Sequence, residues 1–254
     1  MNKETQEIRY YPDLGQSLGL VIRLIVLAIP FYFIKKILET GNQEWNSFSL
    51  LITYLFPLII IIWYGIKRMH KFNNDNYKFK IKRVAIPHIL MMILMVTSVT
   101  IIAEALTELI PVPSETSELF KKAFQPNISF FILSVCIGPV LEEALYRGII
   151  LEGLLKNYNP TKAIIWSSVL FGLAHLNPWQ AISAILLGLL IGWIYWRTNS
   201  LIPGIIIHST NNLIGFVLLN YSVELINHTL ILVLLLIGAL IILTLGYKTL
   251  KPNL

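Results

Sequence analysis

Residues 230–247 read LILVLLLIGALIILTLGY, eighteen consecutive positions without a charge. A stretch of this length is what a helix rising about 1.5 Å per residue needs to cross a hydrocarbon core of roughly 30 Å. Similar runs recur toward the N-terminus between polar breaks: Leu201 to Tyr221, Trp179 to Trp196, Ala163 to Leu176, Ile128 to Leu151, Val84 to Leu109, Phe48 to Ile66 and Leu18 to Ile34. The pattern predicts an all-α, polytopic transmembrane helix bundle of about eight spans, or seven with a buried half-helix, since the run Ala163 to Leu176 is short for a crossing. The chain, 1–254, is read as a single membrane domain.

Composition points the same way. Hydrophobic residues make up 56% and charged residues 13%, with a mean hydropathy of +0.69, whereas soluble domains carry about 25% charged residues. A soluble enzyme and a disordered chain are excluded, as is a β-barrel, whose strands would need only about 10 residues each. The single cysteine, Cys136, excludes an internal disulfide framework and a Cys-rich zinc site. A formal charge of +6 records orientation in a membrane protein before it records an acidic partner. The bilayer is therefore the expected partner, and nucleic acid is not.

Lys and Arg accumulate on the cytoplasmic side of membrane proteins. With the N-terminus inside, that side holds Lys3, Arg9, Lys67, Arg68, Lys71, Lys78, Lys80, Lys82, Arg83, Lys156, Lys162, Arg197, Lys248 and Lys251, 14 in all, against 4 on the other, Lys35, Lys36, Lys121 and Lys122. Both termini are expected in the cytoplasm. No basic n-region with a cleavage site precedes the first run, which reads as a retained span rather than a signal peptide. Ala184, Gly188 and Gly192 form a row of small residues at intervals of four, expected to let a neighbouring helix approach.

Ionisable residues inside spans are costly and mark candidate sites. Arg23 is near enough to the start of its run to snorkel, Glu104 and Glu108 sit at an outer end, and His70, His88 and His228 fall in or beside loops. The remainder concentrates in three runs. One contains Glu142, Glu143 and Arg147; Glu143 and Arg147 are four apart and share a helical face, which leaves Glu142 turned elsewhere. A second ends Phe171-Gly-Leu-Ala-His175, and the third carries His208-Ser-Thr-Asn-Asn212, with Asn211 a less aligned competitor to Asn212.

A carboxylate in a low-dielectric setting is suited to take a proton from water. Histidine can orient that water or donate to an oxyanion, and an asparagine amide is a fixed oxyanion donor. Glu142, His175, His208 and Asn212 together could hydrolyse a peptide bond without a covalent intermediate. Other intramembrane proteases lack their parts here. The aspartates, Asp13 and Asp75, lie outside the runs, no His-Glu-x-x-His occurs, and the nearest Gly-x-Ser, at Gly15-Gln-Ser17, precedes the first span. An apolar setting makes Cys136 an inert thiol.

The three motifs, Glu142-Glu143-x-x-x-Arg147, Phe171-x-x-x-His175 and His208-x-x-x-Asn212, resemble those of the CPBP family, the CAAX-protease and bacteriocin-processing (Abi) intramembrane proteases. The resemblance covers a core of about 128–221. It implies that Glu142 activates water with His175, that His208 and Asn212 stabilise the oxyanion, and that Glu143, Arg147 and Phe171 support the site. The implied activity is endoproteolysis of a membrane-associated peptide or protein, in a cell membrane of bacterial type. Family members are often called metalloproteases, and two histidines with a glutamate could hold zinc. Glu142 cannot conveniently be both ligand and base, however, so no cofactor is expected, with zinc as the alternative. A non-catalytic immunity or scaffold protein on the same fold is the other reading, while a transporter would call for paired broken helices that are not visible.

Overall fold

The computed structural model describes residues 10–38, 43–73, 77–111, 128–221 and 229–250. Lys3, Arg9, Asp75, Lys121, Lys122, His228 and Lys251 lie outside the described residues. Among the described residues eight helices follow one another: α1 (Leu14–Leu38), α2 (Gln43–Asn73), α3 (Ile86–Thr107), α4 (Ile128–Asn157), α5 (Pro160–Leu173), α6 (Pro178–Thr198), α7 (Leu201–Tyr221) and α8 (Thr229–Leu250). Among the described residues there are no strands, and six stretches are long and apolar enough to cross a membrane, in α1, α3, α4, α6, α7 and α8. The protein is a polytopic helical membrane bundle.

The run from Ala163 to Leu176 forms a helix too short to count among the candidate spans, and α2 is not among them either, so six stand where about eight were expected. With 14 residues, α5 rises about 21 Å, less than a hydrocarbon core. Asn-Pro pairs set the starts of α5 and α6. The Asn159 side chain accepts from Lys162 N at 2.9 Å, and that of Asn177 from Trp179 N at 3.1 Å, with proline in each first turn where its missing N–H costs nothing. Asn199, in the left-handed region at φ 51°, ends α6.

Successive helices run in alternating directions and bring the described basic loops to one end. There Asn73 and Asn157 accept from Tyr11 N at 2.8 Å and Tyr10 N at 3.0 Å. The non-helical stretch Tyr77 to Ala85 also lies at this end, joined to the α6–α7 turn by Leu201 N donating to Lys80 O at 2.9 Å and by Lys82 N donating to Ser200 Oγ at 2.9 Å. Glu152, at the end of α4, is 5% exposed and takes Lys80 Nζ at 2.7 Å and Tyr195 Oη at 2.9 Å.

Tyr146, Leu145, Ile149, Phe171, Ile191 and Ile194 lie in the bundle interior, while Ile59, Leu234 and Ile241 are among the many apolar side chains facing outward, as a lipid solvent permits. The small-residue row packs as expected. A Cβ on Gly188 would come within 2.9 Å of Ser168 on α5, and one on Gly192 within 3.0 Å of Ile164, so α5 and α6 meet backbone to backbone.

Candidate active site

Helix α4 is not uniformly α. It is π-helical over Ile132–Ile137 and again over Ala144–Leu151, with the α-helical segment Gly138–Glu143 between them. Such wide turns are frequent at functional sites, and here the sequence supplies a cause. The N–H of Gly138 bonds to the Leu133 carbonyl five residues back. Continuing that register, the Ser134 carbonyl would meet the nitrogen of residue 139, which is Pro139 and has no hydrogen. A buried carbonyl needs a donor, and Asn212 Nδ2 on α7 provides it at 2.8 Å. Gly138 is required for this turn, since a Cβ there would lie 2.7 Å from the Leu133 oxygen.

The two glutamates at the end of the central segment face different partners. Glu143, fully buried, accepts Arg147 Nη1 at 2.9 Å and His208 Nδ1 at 2.8 Å, both on Oε1. The Arg147 side chain, 1% exposed, extends further, with Nη2 donating to Gly188 O at 3.3 Å. The small face of α6 thus serves the site as well as the helix packing. Glu142 is 14% exposed, with Oε2 3.5 Å from His208 Nε2, and its Oε1 accepts from the hydroxyl of Tyr54 on α2.

A carboxylate can only accept, so His208 Nδ1 carries a hydrogen and Nε2 is turned to Glu142. The same reasoning fixes His175. Its Nδ1 lies 3.0 Å from the Phe171 carbonyl and must donate, which leaves Nε2 as the lone pair of the neutral ring. Among the described residues no hydrogen bond joins His175 to Glu142. Phe171 is the common wall: its ring centroid is 5.1 Å from that of His175, 5.6 Å from His208 and 4.9 Å from Tyr146, and the Arg147 guanidinium lies 4.9 Å from it. A cation over an aromatic face is a favourable contact in a dry interior.

The structure therefore brings Glu142, Glu143, Arg147, Phe171, His175 and His208 together, and adds Asn212 one turn beyond His208. Asn212 has a second neighbour: its Oδ1 accepts from Asn211 Nδ2 at 3.2 Å, and Asn211 Oδ1 accepts from Thr100 Oγ1 at 2.9 Å. Tyr54, Thr100 and the orphaned carbonyl of Ser134 were not anticipated. A tyrosine inside an apolar run, whose hydroxyl must find a partner, and a proline five positions after a serine were the available signals. Among the described residues no three His, Cys, Asp or Glu side chains stand as a metal-binding group. Both ring nitrogens of His208 face glutamates.

Fold and site define a helical membrane protein with an ionisable cluster enclosed by α4, α5 and α7. Residues 124–214 match the model of the family described as Type II CAAX prenyl endopeptidase Rce1-like, so the resemblance carried by the three motifs is found over a stretch that holds all of them. The chain is also similar to "UPF0177 protein YxdF" of Lactococcus lactis subsp. lactis (strain IL1403), 35% identical over 86 residues, 34% of this chain and 46% of that protein. A second relative is "Putative membrane peptidase YdiL" of Bacillus subtilis (strain 168), 29% identical over 99 residues, 39% of this chain and 41% of that protein. The matches thus span less than half the length of these curated relatives. No solved structure matches the chain.

Proposed function

We propose that the protein is an intramembrane endopeptidase that hydrolyses a membrane-associated peptide with a water activated by Glu142, without a metal. The observation that carries this reading is the division of labour between adjacent glutamates, Glu143 neutralised by Arg147 and Glu142 left partly exposed beside His208. Glu142 takes a proton from water, the hydroxide attacks the scissile carbonyl, and Glu142 returns the proton to the leaving amine. The lone pair of His175 Nε2 accepts a hydrogen bond from the same water. With Nδ1–H held by Glu143, His208 acts on the oxyanion through Nε2. The remaining Nδ2–H of Asn212 is the second donor. The family match over 124–214 supports peptidase chemistry of CAAX type.

The test is a comparison of membrane peptidomes by mass spectrometry from cells expressing the wild type and Glu142→Ala. Products present only with the wild type are expected. Identical peptidomes would favour a non-catalytic membrane partner on the same fold.

The orientation belongs to the same proposal: the basic end faces the cytoplasm of a bacterial cell, on the charge asymmetry. In a Cys136→Ser background, Ile81→Cys, at a position 68% exposed, should resist an impermeant thiol reagent in intact cells. Labelling there would reverse the orientation.

A further inference from the structure

The corner where α1 meets α2 near the basic end holds two guanidiniums that no carboxylate among the described residues pairs with. Arg23 belongs to α1, and a Cβ on Gly19 would lie 2.9 Å from its Nη1. The side chain therefore folds back one turn over the bare backbone of Gly19, toward the basic end, as a snorkelling arginine should. Its Cζ stands 5.6 Å from the Tyr64 ring centroid. Arg68, on α2, stands 5.9 Å from that same ring and 4.3 Å from Phe72. Neither arginine is in an ion pair with an Asp or Glu among the described residues, and Arg68 Nε is buried without a partner.

Both guanidiniums also act on Tyr11. Burial, with Tyr64 beside it, pushes that phenol up to about 12, and Arg68 and Arg23 oppose the rise. Lys67, whose Nζ is 3.9 Å from the Trp63 ring, adds a third cation at the same level. Trp63 and Tyr64 are of the type that settles at headgroup depth. Below them the surface is apolar and open, with Ile22 50% and Val26 57% exposed.

Two arginines drawn to one ring repel each other, and among the described residues no acidic side chain pairs with either. A planar guanidinium pairs best with a carboxylate or a phosphate, often through two hydrogen bonds. With an apolar lane running from the pair along α1, the missing counterion is one that carries acyl chains. We propose that Arg23 and Arg68 bind the phosphate of an anionic phospholipid, whose chains lie along Ile22 and Val26.

Native mass spectrometry of the purified full chain, titrated with phosphatidylglycerol and phosphatidylcholine of equal chain length, tests this. The wild type should retain one phosphatidylglycerol in preference. Each basic residue near an anionic headgroup is worth about 1 kcal/mol, so Arg23→Gln/Arg68→Gln should lose about 10- to 30-fold of that preference. Lys78→Gln/Lys82→Gln, which removes equal charge from exposed positions at the same end, should keep it. Equal retention of both lipids by the wild type, or an unchanged preference in the arginine double variant, overturns the site. If the glutamine pair does not accumulate, Arg23→Lys/Arg68→Lys decides, since it keeps the charge and removes the planar forks; a full wild-type preference there counts against the proposal. Displacement of the lipid by millimolar inorganic phosphate would reassign the corner to a free anion and overturn the lipid.

Discussion

Glu143 holds His208 Nδ1 at 2.8 Å with the same oxygen that receives Arg147 at 2.9 Å, so one carboxylate both neutralises an arginine and sets the tautomer of a histidine on another helix. Glu143→Ala strands Arg147 and frees the His208 ring, at roughly 3 to 5 kcal/mol for a broken buried pair. Poor accumulation is expected. Glu142→Ala and Glu142→Gln strand no cation, and both should accumulate normally without turnover. Protein yield and peptidase rate measured on the same preparations separate the two residues, and full activity in Glu142→Gln would remove the base from the mechanism.

Asn212 should fail in two separable ways. Its loss leaves the Ser134 carbonyl without a donor, costing about 1 to 3 kcal/mol, and removes an oxyanion donor, costing about 10²- to 10³-fold in rate. Pro139→Ala restores an N–H near that carbonyl. The double variant Pro139→Ala/Asn212→Ala should therefore melt above Asn212→Ala while remaining impaired in turnover. An Asn212→Ala protein that melts like the wild type would contradict the structural half of the argument.

Two glycines of α7 make a matched pair. A Cβ on Gly204 would stand 3.1 Å from Glu143 Oε2 and 3.0 Å from Ile191, whereas one on Gly215 would meet nothing within 4 Å. Gly204→Ala should lower the melting point and the rate together, by crowding the carboxylate that holds His208. Gly215→Ala should be neutral or slightly stabilising, by up to about 1 kcal/mol from helix propensity. Equal melting points for the two variants would mean that Glu143 can yield without cost.

Metal removal should leave turnover unchanged. Elemental analysis of active protein beside a chelator titration provides the check. Stoichiometric zinc that tracks activity, lost in both His175→Ala and His208→Ala, would replace the proposed chemistry while leaving the residues of the site in place.

Spacing alone foretold the Glu143–Arg147 pair and the meeting of Phe171 with His175, because both are contacts one turn apart on a single helix. The shortness of α5 was legible from the length of its apolar run. Partners set by tertiary approach were not. Nothing in the local pattern around Tyr54 says that α2 lies against Glu142, and nothing near His208 says which of its nitrogens Glu143 holds. The register shift in α4 had a written sign, Gly138-Pro139, but its meaning depends on Asn212 arriving from a helix more than seventy residues away. Nothing in the local sequence marks Glu152, and only the folded Tyr77 to Ala85 stretch gives it a cation, Lys80.

That stretch also decides how the bundle can open. Lys80 bridges α4 through Glu152 and the start of α7 through Leu201, and Ser200 is bonded to both the N–H and the carbonyl of Lys82. Helices α4 and α7 are thereby joined at the basic end, on one side of Glu142, His208 and Asn212. A pair of rods fixed at one end can only splay at the other. The basic end is the fulcrum, and any separation of these two helices has to widen toward the opposite face of the membrane.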